Sequence, residues 1–350
     1  MKGRRTTIKT STRQINPTRV SIRDIAQAVG VSHVTVANVL NGRHKETSLD
    51  TREKVLRAAR EMNYIPVAQP SAQQRHIETR IIGIVFDGLE WQSPWGIWTF
   101  EGMREAAQDQ GYDLLTILRK TPAWALDQEE LCFLDRRTDG IIFIFPNDRD
   151  EVFSSLVSHK IPVISCYKED VPAGVAAVTV DNVGAMKAAV HHLYDLGHRR
   201  ISFVGHRSRR SDFQLRLQGY LQGMRAVGLK PHFSLIDPES DWQDEYVSIL
   251  QKQQATAVVC VRDALALALL PALEEAGVQV PRDISVIGMD DDPRAEEQGL
   301  TTIHISGVDV GRLAVDSMVR LISGETPGHS TVSFNWMMRD SVAPPKADDQ

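Results

Sequence analysis

The chain has 350 residues, 24% of them charged, with a formal net charge of −5. That length exceeds what one hydrophobic core usually serves, and the ordinary composition excludes a disordered or fibrous protein. No apolar run approaches the ~20 residues that a membrane-spanning helix needs, and no run of His and Cys at ligand spacing suggests a metal. The charge is unevenly placed. Residues 1–80 hold 15 Lys+Arg against 6 Asp+Glu, a net +9, and the remainder is −14. A basic end on an acidic body fits a head that binds nucleic acid, because phosphate neutralisation supplies most non-specific affinity.

Residues 1–19 (MKGRRTTIKTSTRQINPTR) are basic and polar without apolar periodicity. They read as a disordered tail, and they carry no apolar h-region of a signal peptide. Residues 20–64 then read as three short helices. Ser21 followed by Asp24 is a capping box, and Ile22, Ile25, Ala26 and Val29 share one helical face. Gly30 ends that helix, since glycine takes the left-handed C′ conformation at little cost. Ser32 caps a second helix carrying Thr35, Val36, Val39 and Leu40, which stops at Asn41-Gly42. Ser48 and Asp50 open a third, with Val55, Ala58, Ala59 and Met62 as its stripe. Two helices about a glycine turn predict a helix-turn-helix, whose second helix enters a DNA major groove.

Residues 65–80 (IPVAQPSAQQRHIETR) read as a linker in which Pro70 forces Gln69 toward extended backbone. A helix can begin with Pro70 at its first position and run from Ser71 to Arg75. From residue 81 the period changes. Short apolar runs alternate with amphipathic helices: IIGIVF at 81–86, DLLTIL at 113–118, GIIFIF at 140–145, and IPVISCY at 161–167, with helices near 96–110, 124–136 and 149–158 between them. The pattern restarts at AAVTVDN (176–182), with helices at 183–196, 212–227, 243–252 and 264–276. Strands at 200–205, 233–236, 256–261 and 285–291 separate them. This alternation predicts an α/β body of two doubly wound parallel-sheet subdomains, with a ligand crevice beyond the strand carboxyl ends. Cys132, Cys166 and Cys260 lie far apart in apolar runs and read as buried thiols of a reducing, cytoplasmic compartment.

DIAQAVGVSHVTVANVLNG followed by TREKVLRAAREMNYIP resembles the headpiece of the LacI/GalR (lactose repressor) family of bacterial transcription regulators. VTVDNVGA (178–185), LGHRRISFVG (196–205), LRLQGYLQGM (215–224), VPRDISVIGMDD (280–291) and LTTIHIS (300–306) continue the resemblance in family order. The resemblance implies a sequence-specific regulator, a repressor in the family's usual sense, with a periplasmic-binding-protein-like body. It implies a homodimer on a palindromic double-stranded operator and a small-molecule effector of the sugar or nucleobase kind. It also implies an N-subdomain at 81–178 and 307–325, a C-subdomain at 179–306 and 326–342 that takes a final strand near 331–338, and a loose tail from 343 to 350. The helix at 308–323 packs back onto the first subdomain.

Carried over residue by residue, the family pattern makes His33 and Val34 base readers, with Asn38 one turn later. Histidine can bond a purine edge, valine can touch a thymine methyl, and asparagine can pair with adenine; the alternative is that some of the three face phosphate. Ser21, Ser32, Thr35, Thr51, Arg52 and Arg75 are the expected phosphate contacts. At Gln73 the chain departs from the family, which has a leucine that wedges into the minor groove, so that wedge is not implied here.

For the effector, the pattern selects Arg216, whose fork suits a diol or a carboxylate, and Asp290 at a strand end. Asp263 follows a strand where the family usually has Asn-Asp; here Arg262 replaces the asparagine, which suggests a more acidic or differently shaped ligand. Trp95, among Trp91, Trp95 and Trp98, is the expected stacking face, with Trp242 as the second and Tyr167 and Asp212 at loops on the same cleft. A transport-type sugar-binding protein is opposed by the headpiece. An enzyme is opposed by the missing Walker, G-x-G-x-x-G and G-x-S-x-G patterns, and no cofactor is implied. His191, His192 and His198 read as surface and capping residues.

Overall fold

The computed structural model describes residues 20–40, 47–62, 64, 78–87, 93–119, 133–134, 136–146, 150–208, 210–237, 240–326 and 328–346. The expected tail at 1–19, most of the linker with Arg75, Trp91, Cys132 and most of the expected helix at 124–136 lie outside them. The chain divides into two compact units: one holds residues 1–76 and 121–136, the other 77–120 and 137–350.

The first unit contains α1 (Ile22–Val29), α2 (His33–Leu40) and α3 (Leu49–Glu61). Its start is fixed by a reciprocal cap. Ser21 Oγ accepts from the Asp24 amide, and Asp24 Oδ2 accepts from both the amide and the hydroxyl of Ser21. Gly30 stops α1 at φ 75° and donates its amide to the Ala26 carbonyl at 2.9 Å. Ser32 and Ser48 accept from the amides of Thr35 and Thr51 at 3.0 and 3.2 Å, which closes the first turns of α2 and α3. Ile25, Val36, Val39, Val55, Leu56 and Ala59 are buried and form the small core. The buried stripe of α3 holds the expected Val55 and Ala59, with Arg52 and Leu56 in place of the expected Ala58 and Met62.

The second unit contains two six-stranded sheets. β1 (Ile81–Asp87), β2 (Asp113–Arg119), β3 (Gly140–Ile144), β4 (Val163–Cys166), β5 (Ala176–Val180) and β11 (Ser330–Val332) form one, in the order β11-β5-β4-β3-β1-β2, all parallel. β6 (Ile201–His206), β7 (His232–Ile236), β8 (Ala257–Cys260), β9 (Ser285–Met289), β10 (Thr301–Ile305) and β12 (Phe334–Met337) form the other, in the order β12-β10-β9-β8-β6-β7, antiparallel only at β12. Every residue of β3, β4, β5, β8 and β9 is buried, which is why these strands read as unbroken apolar runs and not as alternating ones.

The connecting helices are α4 (Pro94–Asp109), α5 (Asp150–Ser158), α6 (Asn182–Asp195), α7 (Ser211–Ala226), α8 (Gln243–Lys252), α9 (Asp263–Glu275), the short α10 (Pro293–Glu297) and α11 (Gly307–Ile322). The chain passes between the sheets after Val180, after Ile305 and after Val332. The last passage corrects an expectation. The single strand anticipated near 331–338 is two strands, one in each sheet, with Ser333 between them. α11 lies against α4 and the first sheet. Their backbones approach so closely that a Cβ on Gly311 would sit 2.0 Å from the Thr99 carbonyl oxygen.

Two further expectations are corrected. His198 is not a surface residue: it is buried, with Nδ1 3.0 Å from Thr256 Oγ1 and Nε2 2.9 Å from the Ala343 carbonyl. Its burial lowers the imidazole below its ordinary range. The same carbonyl accepts from Ser285 Oγ at 2.9 Å, so the chain is anchored at Ala343, where a loose tail was expected to begin. Cys166 and Cys260 are buried free thiols, as the apolar runs suggested.

Candidate ligand cleft and nucleic-acid interface

In the first unit, His33, Val34 and Asn38 are exposed on α2, and Val34 is 54% accessible despite being apolar. Positions 34 and 38 are one turn apart and share a face. None of the three contributes to the core, so the fold leaves this face available. The expected phosphate contacts fare differently. Ser21, Ser32 and Thr51 have hydroxyls engaged at the helix starts, and Thr35 Oγ1 lies 2.8 Å from Ser32 Oγ. A hydroxyl engaged once keeps a further acceptor site, and the adjacent amides form a helix N-terminus suited to phosphate. Arg52 is corrected outright. It is 6% exposed on the inward face of α3, so its charge is turned toward the headpiece core and not toward a phosphate.

In the second unit, a cleft of about 670 Å³, counted with its open mouth, lies at the carboxyl ends of the strands. Its walls come from both sheets: Trp95, Trp98, Phe145 and Tyr167 from the first, and Arg210, Asp212, Phe213, Arg216, Arg262, Asp263, Asp290 and Asp292 from the second. Phe145, Tyr167 and Asp290 directly follow β3, β4 and β9, and all three hold positive φ (50°, 71° and 116°). Non-glycine residues at positive φ are uncommon and gather where structure serves a site.

The aromatic wall is built by contact. Tyr167 stacks on Phe145 with centroids 4.2 Å apart and meets Trp95 edge-on at 5.8 Å. Trp95 meets Trp98 edge-on at 6.3 Å. Tyr167 Oη lies 2.5 Å from Thr99 Oγ1, which donates to the Trp95 carbonyl. The tyrosine is held as a neutral wall, since burial raises its hydroxyl above the ordinary range.

The polar wall centres on Arg216, which is only 4% exposed. Its Nε donates to Asn182 Oδ1 at 2.9 Å, its Nη1 to the Val261 carbonyl at 2.7 Å, and its Nη2 lies 2.9 Å from Asp290 Oδ1. Burial raises the Asp290 carboxyl, and Arg216 opposes that shift. Asp263 accepts from Thr302 Oγ1 at 2.7 Å and from the Asp292 amide at 2.8 Å. Burial, then the charge of Asp290, pushes it up to about 7. Burial also pushes Asp212 up, but Arg210, at 2.8 Å, holds it below the usual range. His206 stacks on Phe213 at 4.8 Å, and burial with the charges of Arg262 and Arg210 lowers it to about 4.

Six of the seven expected cleft residues thus meet in one place. Trp242 does not: it is 5% exposed, precedes α8 and packs against Tyr246 with centroids 6.0 Å apart, as a core residue. The sequence reading missed Phe145, Phe213, Arg210 and Asn182. A rule that singles out the residues just past each strand end would have found Phe145, and Asn182 stands inside the quoted VTVDNVGA.

The fold and these two surfaces define a transcriptional regulator in which a DNA-binding headpiece precedes a body with a ligand cleft. Residues 21–67 match the model for bacterial regulatory proteins of the lacI family, and residues 190–342 match that for the periplasmic binding protein-like domain. The chain thus carries a lacI-family DNA-binding domain and a periplasmic-binding-protein-like domain. It is 26% identical over 333 residues to the ribose operon repressor of Haemophilus influenzae, covering 92% of this chain and 98% of that protein. It is also 26% identical to the HTH-type transcriptional repressor PurR of the same species, covering 88% and 93%. Among solved structures, a transcriptional regulator CelR–cellobiose complex shares 25% identity with a TM-score of 0.67, covering 92% of this chain and all of that one. The lac repressor dimer bound to operator and the anti-inducer ONPF, at 23% identity and a TM-score of 0.67, covers 93% and all of that chain, and speaks for the fold.

Proposed function

We propose that this chain is a repressor that binds a palindromic operator as a homodimer and responds to a small molecule in the cleft, a sugar or sugar-like compound. The observation that carries the reading is the presence in one chain of an exposed α2 face, His33, Val34 and Asn38, and of a cleft with an aromatic wall facing a polar one. Aromatic faces cover the C–H side of a pyranose while polar groups meet its hydroxyls. The CelR neighbour's cellobiose and the ribose operon repressor's name support a carbohydrate effector. A single headpiece reads a half-site, so two-fold symmetry follows from geometry. We assign residues 20–64 to the headpiece, 65–80 to the linker and 81–342 to the body. The chain acts on DNA in the cytoplasm and catalyses nothing.

Effector control requires unequal ligand affinity for two states of the dimer. The test is selection of random duplexes by the purified protein, with and without a panel of sugars. A palindrome enriched in one condition and lost in another supports the reading. No enriched site in any condition overturns it.

A further inference from the structure

The polar groups of the cleft are mostly engaged by the protein itself. Asp212 takes Arg210 on both oxygens, at 3.1 and 2.8 Å. Asp292 takes Arg294 on both, at 2.9 and 2.7 Å. Asp290 pairs with Arg216, whose Nε and Nη1 are engaged by Asn182 and the Val261 carbonyl. Asp263, the fourth carboxylate, takes a hydroxyl and an amide and no arginine. Arg262 and Asp263 are therefore the arginine and the carboxylate left without an ion pair. Among the described residues Arg262 forms no ion pair and no side-chain hydrogen bond, and its Nε is buried without a partner. Trp95 Nε1, on the opposite wall, is likewise buried and unpartnered. Both are donors; Asp290 Oδ1 is also without a hydrogen bond but lies 2.9 Å from Arg216 Nη2, so Arg262 is the lining cation that no ion pair meets among the described residues.

The backbone adds the same sign. α7 and α9, 16 and 13 residues long, begin at the cleft, and neither N-terminus carries a side-chain cap. Each presents the positive end of a helix dipole there, faced by one first-turn aspartate, Asp212 or Asp263. An anion beside Arg262 gives its guanidinium the ion pair that it lacks, whereas a neutral hydroxyl supplies only a hydrogen bond.

Resting on the effector reading above, we infer that the effector carries an oxyanion, a carboxylate or a phosphate, on a polyhydroxylated body, and that Arg262 receives it. Calorimetry on the full chain with D-glucose, D-gluconate, D-glucuronate and D-glucose 6-phosphate tests this. At least one of the three anions should bind ~10-fold or more tighter than glucose, and Arg262→Asn should cost that anion ~10–100-fold while moving glucose little, as loss of a charged hydrogen bond implies. Arg262→Lys should retain part of the preference, since lysine keeps the charge and loses the fork. The two sugar acids against the phosphate ester tell carboxylate from phosphate. Glucose binding as tightly as every anion, or an anion affinity untouched by Arg262→Asn, overturns the oxyanion and leaves the effector cleft standing. No binding by any of the four compounds overturns the oxyanion and the sugar-like effector together.

Discussion

The headpiece and the cleft use polar side chains in opposite ways. On α2, the candidate reading residues His33, Val34 and Asn38 are exposed and take no part in the core, while Ser21, Ser32 and Ser48 hold the helix starts. Recognition and stability are thereby assigned to different residues. In the cleft the same residues serve both. Arg216 braces Asn182, the Val261 carbonyl and Asp290 in the act of lining the site. Substitutions should therefore separate the two properties in the headpiece and confound them in the cleft.

The largest effect is expected at Arg216. Arg216→Met removes a charge that a buried carboxylate, a buried amide and a carbonyl all use, and loss of one member of a buried pair costs ~3–5 kcal/mol. The midpoint of the body's chemical unfolding should fall accordingly, with ligand response lost as well. An unchanged midpoint would show that Arg216 is a ligand residue only, and the contrast with the headpiece would fail.

Asp263 and His206 sharpen the point through pH. A carboxyl raised to about 7 in the folded state binds more protons there than in the unfolded chain, so it makes stability fall as pH rises from ~4 to ~7. A histidine lowered to about 4 does the reverse, so it makes stability rise as pH climbs from ~4 to ~6.5. The two opposing slopes flatten the native profile. Asp263→Asn keeps an acceptor for the Asp292 amide, turns the Thr302 contact into one in which the asparagine amide donates, and removes the falling slope. The variant should gain stability near pH 8, by ~2 kcal/mol if the hydrogen bonds offset part of a shift worth ~1.4 kcal/mol per unit, and should lose it on acidification through the His206 window. A profile parallel to that of the native chain would show that Asp263 titrates normally.

The same contrast explains what was legible in the sequence. Caps, glycine stops and apolar periods are local, so α1, α2 and the strand–helix alternation could be read directly. Arg52 could not, because its inward turn depends on how α3 packs against α1 and α2. Trp242 illustrates the reverse error: an aromatic beside charged residues resembles a ligand face, but only the packing of Tyr246 reveals it as core. His198 and Ala343 stand 145 residues apart and meet through the assembled second sheet. The cleft residues carried over from the family order largely converged, because that order encodes strand ends. The unpaired guanidinium of Arg262 is visible only in three dimensions, where the ion pairs of Arg210, Arg216 and Arg294 are seen.

Replacing His33 and Val34 together should leave headpiece unfolding unchanged and alter the selected site, with ~1–3 kcal/mol of discrimination at stake for each bidentate or methyl contact. A uniform loss over all sequences would place them on phosphate instead.

The smallest effect, and the finest test of the contrast, belongs to Ser21, which was expected both as a cap and as a phosphate contact and is found in the cap. Ser21→Ala removes the acceptor for the Asp24 amide and should cost the headpiece ~1 kcal/mol. Ser21→Thr keeps the cap and should restore most of that loss. If Ser21 acts through α1 alone, operator affinity should follow headpiece stability across the two variants, with the salt dependence of binding constant. If its hydroxyl or its amide also meets a phosphate, Ser21→Ala should weaken binding at temperatures where the headpiece is fully folded. Only a loss confined to that second regime would return Ser21 from the residues that build the headpiece to those that touch DNA.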